Sequence, residues 1–164
     1  MNSLPRIEGD GLASDNALGD WYVSRLVIDR KPLLLLVSAA SRLAIVIPAR
    51  DVKTLPVRLA QIVGLRLRRI GVSDSVIASE VAATTLVCVG KTVDRSVTGQ
   101  LVDFAKALPH YLPVNGWDES TLISAEDKLA ETPCRAGRSS AEVIWPLRTA
   151  IELLNTTWSA SSQG

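Results

Sequence analysis

The residues best suited to binding a ligand form one short run, Lys91–Gly99, with the sequence KTVDRSVTG. The run follows a continuously apolar segment, Thr84–Val89, and precedes an amphipathic pattern, so it joins a predicted strand to a predicted helix. The beginning of a helix presents unpaired backbone N–H groups, which favour anions. The run therefore predicts a turn that holds an anionic group. The side chains that would line this turn are Lys91, Asp94, Arg95 and Ser96.

The same run also suffices for an ordinary helix start. Asp94 or Ser96 can accept the first helix amides, Arg95 can pair locally, and Gly99 can let another element pack closely. The spacing matches neither a Walker A loop nor a dinucleotide-binding fingerprint. Both interpretations, anion binding and helix capping, stay open on the sequence.

A second candidate is the basic segment from Arg42 to Arg69, which contains seven basic residues and one acidic residue. Clusters of this kind are typical of surfaces that bind nucleic acid or acidic proteins, although a solvated helix face explains them as well. Our leading hypothesis is a non-enzymatic binding module that engages an acidic protein or a nucleic-acid backbone through one helix. The residues that would carry this interaction are Arg58, Arg66, Arg68 and Arg69.

Arg66 differs from its basic neighbours because the helical spacing places it within the apolar stripe of its helix. An arginine there must extend to solvent, pair with an acid or serve a site. Glu126 is a matching exception, since it falls on an apolar helix face between Leu122 and Leu129. Pairing of Arg66 with Glu126 would satisfy both side chains.

Residue counts exclude several kinds of reactive site. The only histidine, His110, rules out metal sites that need two imidazoles. Cys88 and Cys134 lie far apart and match neither a disulfide framework nor a zinc pattern. No hydrolase signature surrounds Cys134 or His110, so a nucleophilic dyad is not supported. We therefore predict no metal, no cofactor and no catalytic residue, and we favour a protein that is not an enzyme.

The composition is that of one globular domain: 164 residues, 47% hydrophobic and 21% charged, with a net charge of +1. We expect a flexible tail over residues 1–17, a single domain over 18–158 and a second flexible tail over 159–164. The most apolar stretch, Leu33–Ile47, is interrupted by small and charged residues and is too short to span a membrane. With no signal-like N-terminus, the prediction is a cytoplasmic protein without membrane contact.

The predicted fold class is α+β. Three apolar runs, Trp21–Ile28, Pro32–Val37 and Leu43–Ile47, have short connections that favour an antiparallel meander. Thr84–Val89 would bring the sheet to about four strands, with the helices packed on one face and a helical C-terminal portion over 118–158.

Helical periodicity covers most of the remaining chain. One amphipathic pattern runs over Asp51–Ile70, and another runs from Val97 to Leu108. In the C-terminal portion, Ser139 and Glu142 form a capping box that predicts a helix. Pro146 would either kink this helix or begin its longer part.

Four segments together resemble a bacterial family of uncharacterised small proteins described only as a domain of unknown function. These are Leu18-Gly19-Asp20-Trp21-Tyr22-Val23, Ile47-Pro48, the turn Thr92–Gly99 and Leu129-Ala130-Glu131-Thr132-Pro133-Cys134. The resemblance spans residues 18–150 and implies no established activity. Members typically continue the turn with an Asn-Asp pair, for which this chain has Val102-Asp103. The missing asparagine favours a structural or binding role.

Two further functions compete with the binding module. The first is an enzyme or small-ligand protein that uses residues 91–99 to hold an anionic group. The second is a component of a mobile-element system, such as a toxin–antitoxin or anti-defence protein, which the small size permits. The sequence does not choose between these classes.

Overall fold

The computed structural model of the protein describes residues 16–49, 52–84, 95–114, 116–135 and 142–159. The predicted strand Thr84–Val89 and the turn residues Lys91 and Asp94 therefore fall, apart from Thr84, outside the described residues. Asn16 and Ala17, which the sequence analysis assigned to a flexible tail, are buried.

The central element is a three-stranded antiparallel sheet in the order β1-β2-β3, as the meander pattern predicted. The strands are β1 (Trp21–Ile28), β2 (Lys31–Ser38) and β3 (Ala44–Pro48). A two-residue turn joins β1 to β2, and its residues Asp29 and Arg30 both have positive φ, 55° and 64°. Two consecutive residues with positive φ form a type I′ turn, and its twist matches that of the flanking strands.

Helices cover both faces of this sheet. On one face lie α1 (Leu55–Arg69), α2 (Asp74–Ala83) and α5 (Pro146–Ser159). On the other lie α3 (Arg95–Ala107) and α4 (Glu119–Ala130).

The α+β class is confirmed, but the prediction that helices pack on one face is corrected to both. The reason lies in β2, where every residue from Leu33 to Val37 is buried. Because successive strand residues point to opposite faces, an unbroken apolar run needs a cover on each side.

The C-terminal portion contains a short ribbon as well as helices. β4 (Cys134–Arg135) pairs antiparallel with β5 (Val143–Ile144), and α5 begins at Pro146. Val143 and Ile144 therefore belong to a strand, where the sequence predicted helix. Pro146 begins the helix, the second of its two predicted roles, since a residue in the first turn has no helical acceptor for the N–H that proline lacks.

Candidate functional site

The four arginines predicted to form a binding surface on α1 differ sharply in exposure. Arg66 is completely buried, and Arg69 bonds to a buried carboxylate. Arg58 is half-buried beside Thr54, while the side chain of Arg68 is 71% exposed. Arg66 and Arg69 lie within 4 Å of the same buried carboxylate, that of Glu126, so only Arg58 and Arg68 of the four are left to form a surface.

The predicted pairing of Arg66 with Glu126 is confirmed. Arg66 Nη1 lies 3.8 Å from Glu126 Oε1 and donates to Asp127 Oδ1 at 3.1 Å. Arg69 Nη2 donates to the same Glu126 oxygen at 2.7 Å, and the Val46 amide donates to the other oxygen at 2.7 Å. We call these four charged residues the Glu126 cluster. It satisfies an edge-strand amide of β3 and ties α4 to α1, so its arginines serve the fold.

A concave cavity of about 1120 Å³ runs along α3 and faces the segment that leads into β4. We call it the α3 pocket. Two of the predicted anion-binding residues, Arg95 and Ser96, line it together. The described residues that line it are Arg95, Ser96, Thr98, Gly99, Gln100, Val102, Asp103, Phe104, Lys106, Ala107, Thr132, Pro133, Cys134 and Arg135.

The charges around the α3 pocket are unequal. Among its described lining residues are three cations, Arg95, Lys106 and Arg135, and one carboxylate, Asp103. All four residues are exposed, so their charged groups can move to meet a ligand. The excess of positive charge favours an anionic molecule, and arginine is well suited to bidentate contact with phosphate or carboxylate.

Arg42 connects the β2–β3 turn to this pocket. Its backbone has φ of 68°, a left-handed conformation that is uncommon for a residue other than glycine. The side chain is buried, and its Nη1 donates to the Ala39 carbonyl at 2.7 Å. Its Nη2 donates to Ser96 Oγ at 2.8 Å. Arg42 therefore fixes the hydroxyl of a lining residue at the beginning of α3, a role the sequence analysis did not assign to it.

Cys134 is buried in the wall of the pocket, and its Sγ lies 3.3 Å from the Thr132 carbonyl. Burial raises the pKa of the Cys134 thiol to about 11, and Asp103 adds to the rise while Arg42 opposes it. At neutral pH the group is thus a thiol and a poor nucleophile. His110 is exposed and is not among the described lining residues, so the structure gives the dyad no support.

This pKa predicts slow alkylation of Cys134. In a Cys88→Ser background, iodoacetamide at pH 8 should modify Cys134 about 100-fold more slowly than a solvent-exposed cysteine of ordinary pKa 9.0 in an unstructured peptide, because the thiolate fraction falls tenfold per unit of pKa. The rate, followed by mass spectrometry, should keep rising about tenfold per pH unit up to pH 10. A rate that levels off below pH 9 would contradict the raised pKa.

Gly99 is a pocket residue whose side-chain type is explained neither by the backbone of α3 nor by its described neighbours. It lies inside α3 with an ordinary backbone, where glycine is less stable than alanine. Among the described residues, no atom lies within 4 Å of where a Gly99 Cβ would stand. The sequence-based expectation that another element packs closely on Gly99 therefore finds no support among these residues.

Replacing Gly99 with alanine should raise the free energy of unfolding by about 0.5–1 kcal/mol. Gly64 in α1 is the matched control, since a Cβ there would stand 3.1 Å from Val81 Cγ2. Crowding at that position should cancel the helical gain, so Gly64→Ala should give no increase. Urea denaturation measures both variants, and a loss of stability in Gly99→Ala would show that the space above Gly99 is occupied.

Within the part of the chain that the structure describes, no group of three or more histidine, cysteine or acidic side chains could hold a metal ion. The same residues include no helix with the length and apolarity needed to span a bilayer.

Comparison with known proteins defines the family. The model of a domain of unknown function, DUF6933, matches residues 1–149. The chain belongs to the DUF6933 family. No curated protein and no solved structure matches it. The resemblance to an uncharacterised family is thus confirmed, and DUF6933 brings no activity with it.

Two of the segments that carried the DUF6933 resemblance contribute to the same site. Residues 95, 96, 98 and 99 and residues 132–134 all line the α3 pocket, although more than thirty residues separate the two groups in the sequence. Asp103 lines it as well. The α3 pocket is therefore the candidate functional site of this DUF6933 protein.

Proposed function

We propose that this protein binds a small anionic molecule in the α3 pocket and is not an enzyme. The supporting observation is a concave cavity of about 1120 Å³ in which three cations and one carboxylate are the charged residues among its described lining. A cavity of this size suits a small-molecule site. The buried thiol of Cys134 supports binding over covalent catalysis, since its pKa of about 11 leaves little thiolate at neutral pH.

The binding of an acidic protein or nucleic acid through α1 has less support. Arg66 and Arg69 bond to Glu126 and its neighbour Asp127, and releasing them would leave buried charges unpaired. Arg58 and Arg68 alone would carry that interaction. Two cations of this kind give a weak electrostatic footprint.

Two charge-reversal variants separate the proposals. Arg95→Glu/Arg135→Glu alters the α3 pocket, and Arg58→Glu/Arg68→Glu makes the same change in net charge on α1. Calorimetric titration with pyrophosphate should show binding to the wild type and to the α1 variant. The pocket variant should bind at least tenfold more weakly, because each charge-assisted contact contributes about 1.5–3 kcal/mol.

The reverse pattern would contradict the proposal. If pyrophosphate binding fell only in Arg58→Glu/Arg68→Glu, the α1 surface would be the anion site. The same pair of variants, titrated with a labelled oligonucleotide at two salt concentrations, tests the nucleic-acid alternative. Binding that weakens steeply with salt and is lost only in the α1 variant would favour that alternative.

A further inference from the structure

We infer that the ligand of the α3 pocket is an adenine nucleotide whose base is bound by Gln100. This inference rests on the proposed function and specifies its ligand. The cations account for a phosphate but leave two other polar residues of the pocket, Gln100 and Asp103, without a role. Gln100 is the residue that indicates a nucleobase, because its carboxamide can both donate and accept hydrogen bonds.

The side chain of Gln100 lines the pocket, and the residue is only 8% exposed. Its carboxamide oxygen and nitrogen are not among the described buried polar atoms that lack a partner, so they are open to solvent. A ligand in the pocket would take the place of that solvent as the hydrogen-bond partner. A carboxamide offers an adjacent donor and acceptor, which match N7 and the exocyclic amine of adenine.

Asp103 places a hydrogen-bond acceptor among the three cations of the pocket. It lies three residues after Gln100 on α3, so the two side chains are neighbours on one helix face. A carboxylate there repels an acidic peptide but accepts hydrogen bonds from hydroxyl groups, as acidic residues do from ribose. A phosphate at one end and hydroxyls in the middle therefore fit the charge pattern better than repeated negative charges.

Gly99 and the length of α3 are consistent with this placement. Without a Cβ, Gly99 lets a ligand approach the helix backbone directly beside Gln100. The rise of 1.5 Å per residue separates the α-carbons of Arg95 and Lys106 by about 16 Å. That span leaves room for a base, a ribose and a phosphate along one helix, and the apolar side chain of Val102 is exposed beside them.

Two nucleotides that differ at one group test the inference. AMP and inosine monophosphate have the same size and phosphate, but only AMP carries the exocyclic amine. Calorimetry should show that the wild type binds AMP roughly 5- to 100-fold more tightly, which is the discrimination of one bidentate base contact. Gln100→Met should remove this preference and leave pyrophosphate binding unchanged. Gln61→Met, on the exposed surface of α1, is the control and should retain the preference.

The outcomes separate the two claims. If AMP, inosine monophosphate and pyrophosphate bind equally and Gln100→Met changes nothing, the nucleotide inference is wrong and the anion-binding function stands. If the folded wild type binds neither AMP nor pyrophosphate at millimolar concentration, both are wrong. Gly99→Leu gives a second readout, since a side chain above Gly99 should block AMP while the melting temperature shows that the variant is folded.

Discussion

Replacing Glu126 with leucine should lower the free energy of unfolding by about 3–5 kcal/mol, the usual cost of removing one member of a buried ion pair. Glu126 is only 1% exposed, and its two oxygens accept from Arg69 and from the Val46 amide. Leucine would leave the buried Arg66 without this carboxylate and the β3 amide without its acceptor. Urea denaturation at pH 7 measures the loss.

Asp127→Asn is the matched control for this effect. Asp127 also accepts from Arg66, but its side chain is 64% exposed, so the variant should cost no more than about 1 kcal/mol. Arg66→Met/Glu126→Leu should recover part of the loss because the unpaired charge is gone, with a coupling of about 0.5–3 kcal/mol. Equal losses for Glu126→Leu and Asp127→Asn would contradict the role of burial in the Glu126 cluster.

The pH dependence of stability gives a second test of the Glu126 cluster. Burial raises the pKa of Glu126, and the two arginines and the Val46 amide only partly oppose it. A group whose pKa is higher in the folded state stabilises most below its unfolded pKa, and this contribution is lost as the pH rises through the folded value. The stability of the wild type relative to Glu126→Gln should therefore fall between pH 4 and the folded pKa. A relative stability that rises over this range would contradict the direction.

Replacing Glu80 with glutamine should have the second largest effect, a loss of about 2–3 kcal/mol. Glu80 is fully buried in α2, and its carboxylate accepts from the Ala17 amide at 2.8 Å and the Leu18 amide at 3.2 Å. The indole N–H of Trp158 donates to it at 2.9 Å. A glutamine would turn an N–H donor towards one of these three donors, so a buried group would lose its partner.

Hydrogen exchange locates the effect of Glu80→Gln. The Ala17 and Leu18 amides should exchange at least tenfold faster in the variant, because their acceptor fastens the N-terminal segment to α2 and α5. Glu152→Gln, on the exposed surface of α5, is the control and should change stability by less than about 0.5 kcal/mol. Unchanged protection of the two amides in Glu80→Gln would show that Glu80 does not hold the segment.

Patterns confined to one element predicted much of this fold. The three apolar runs gave the meander, and two residues that broke helical patterns, Arg66 and Glu126, predicted a contact sixty residues apart. The packing of helices on both faces of the sheet was not predicted. The unbroken apolar run Leu33–Val37 does indicate a strand that is buried on both sides. Glu80 could not be predicted from the sequence, since two of its three donors are backbone amides, which every residue but proline has. The third is the indole N–H of Trp158, which lies far along the chain.

The candidate site was predicted only in part, and the reason is topological. Arg95 and Ser96 were found because a helix start is visible in sequence. Arg42 lies in the β2–β3 turn and Cys134 lies in β4, and both are distant from the start of α3 in the sequence. They come close to α3 only because the elements pack together in the fold. Gln100 was not predicted as a site residue because a glutamine within a helix is usually an exposed surface residue. Its burial is known only from the structure.

The measurement that most directly tests the central claim is a map of amide chemical-shift changes in the ¹⁵N-labelled protein on titration with pyrophosphate. If the α3 pocket binds the anion, the largest changes should fall on Arg95–Lys106 and on Thr132–Arg135. Changes centred on Arg58 and Arg68, or an unchanged spectrum at millimolar pyrophosphate, would contradict the assignment of the α3 pocket as the functional site.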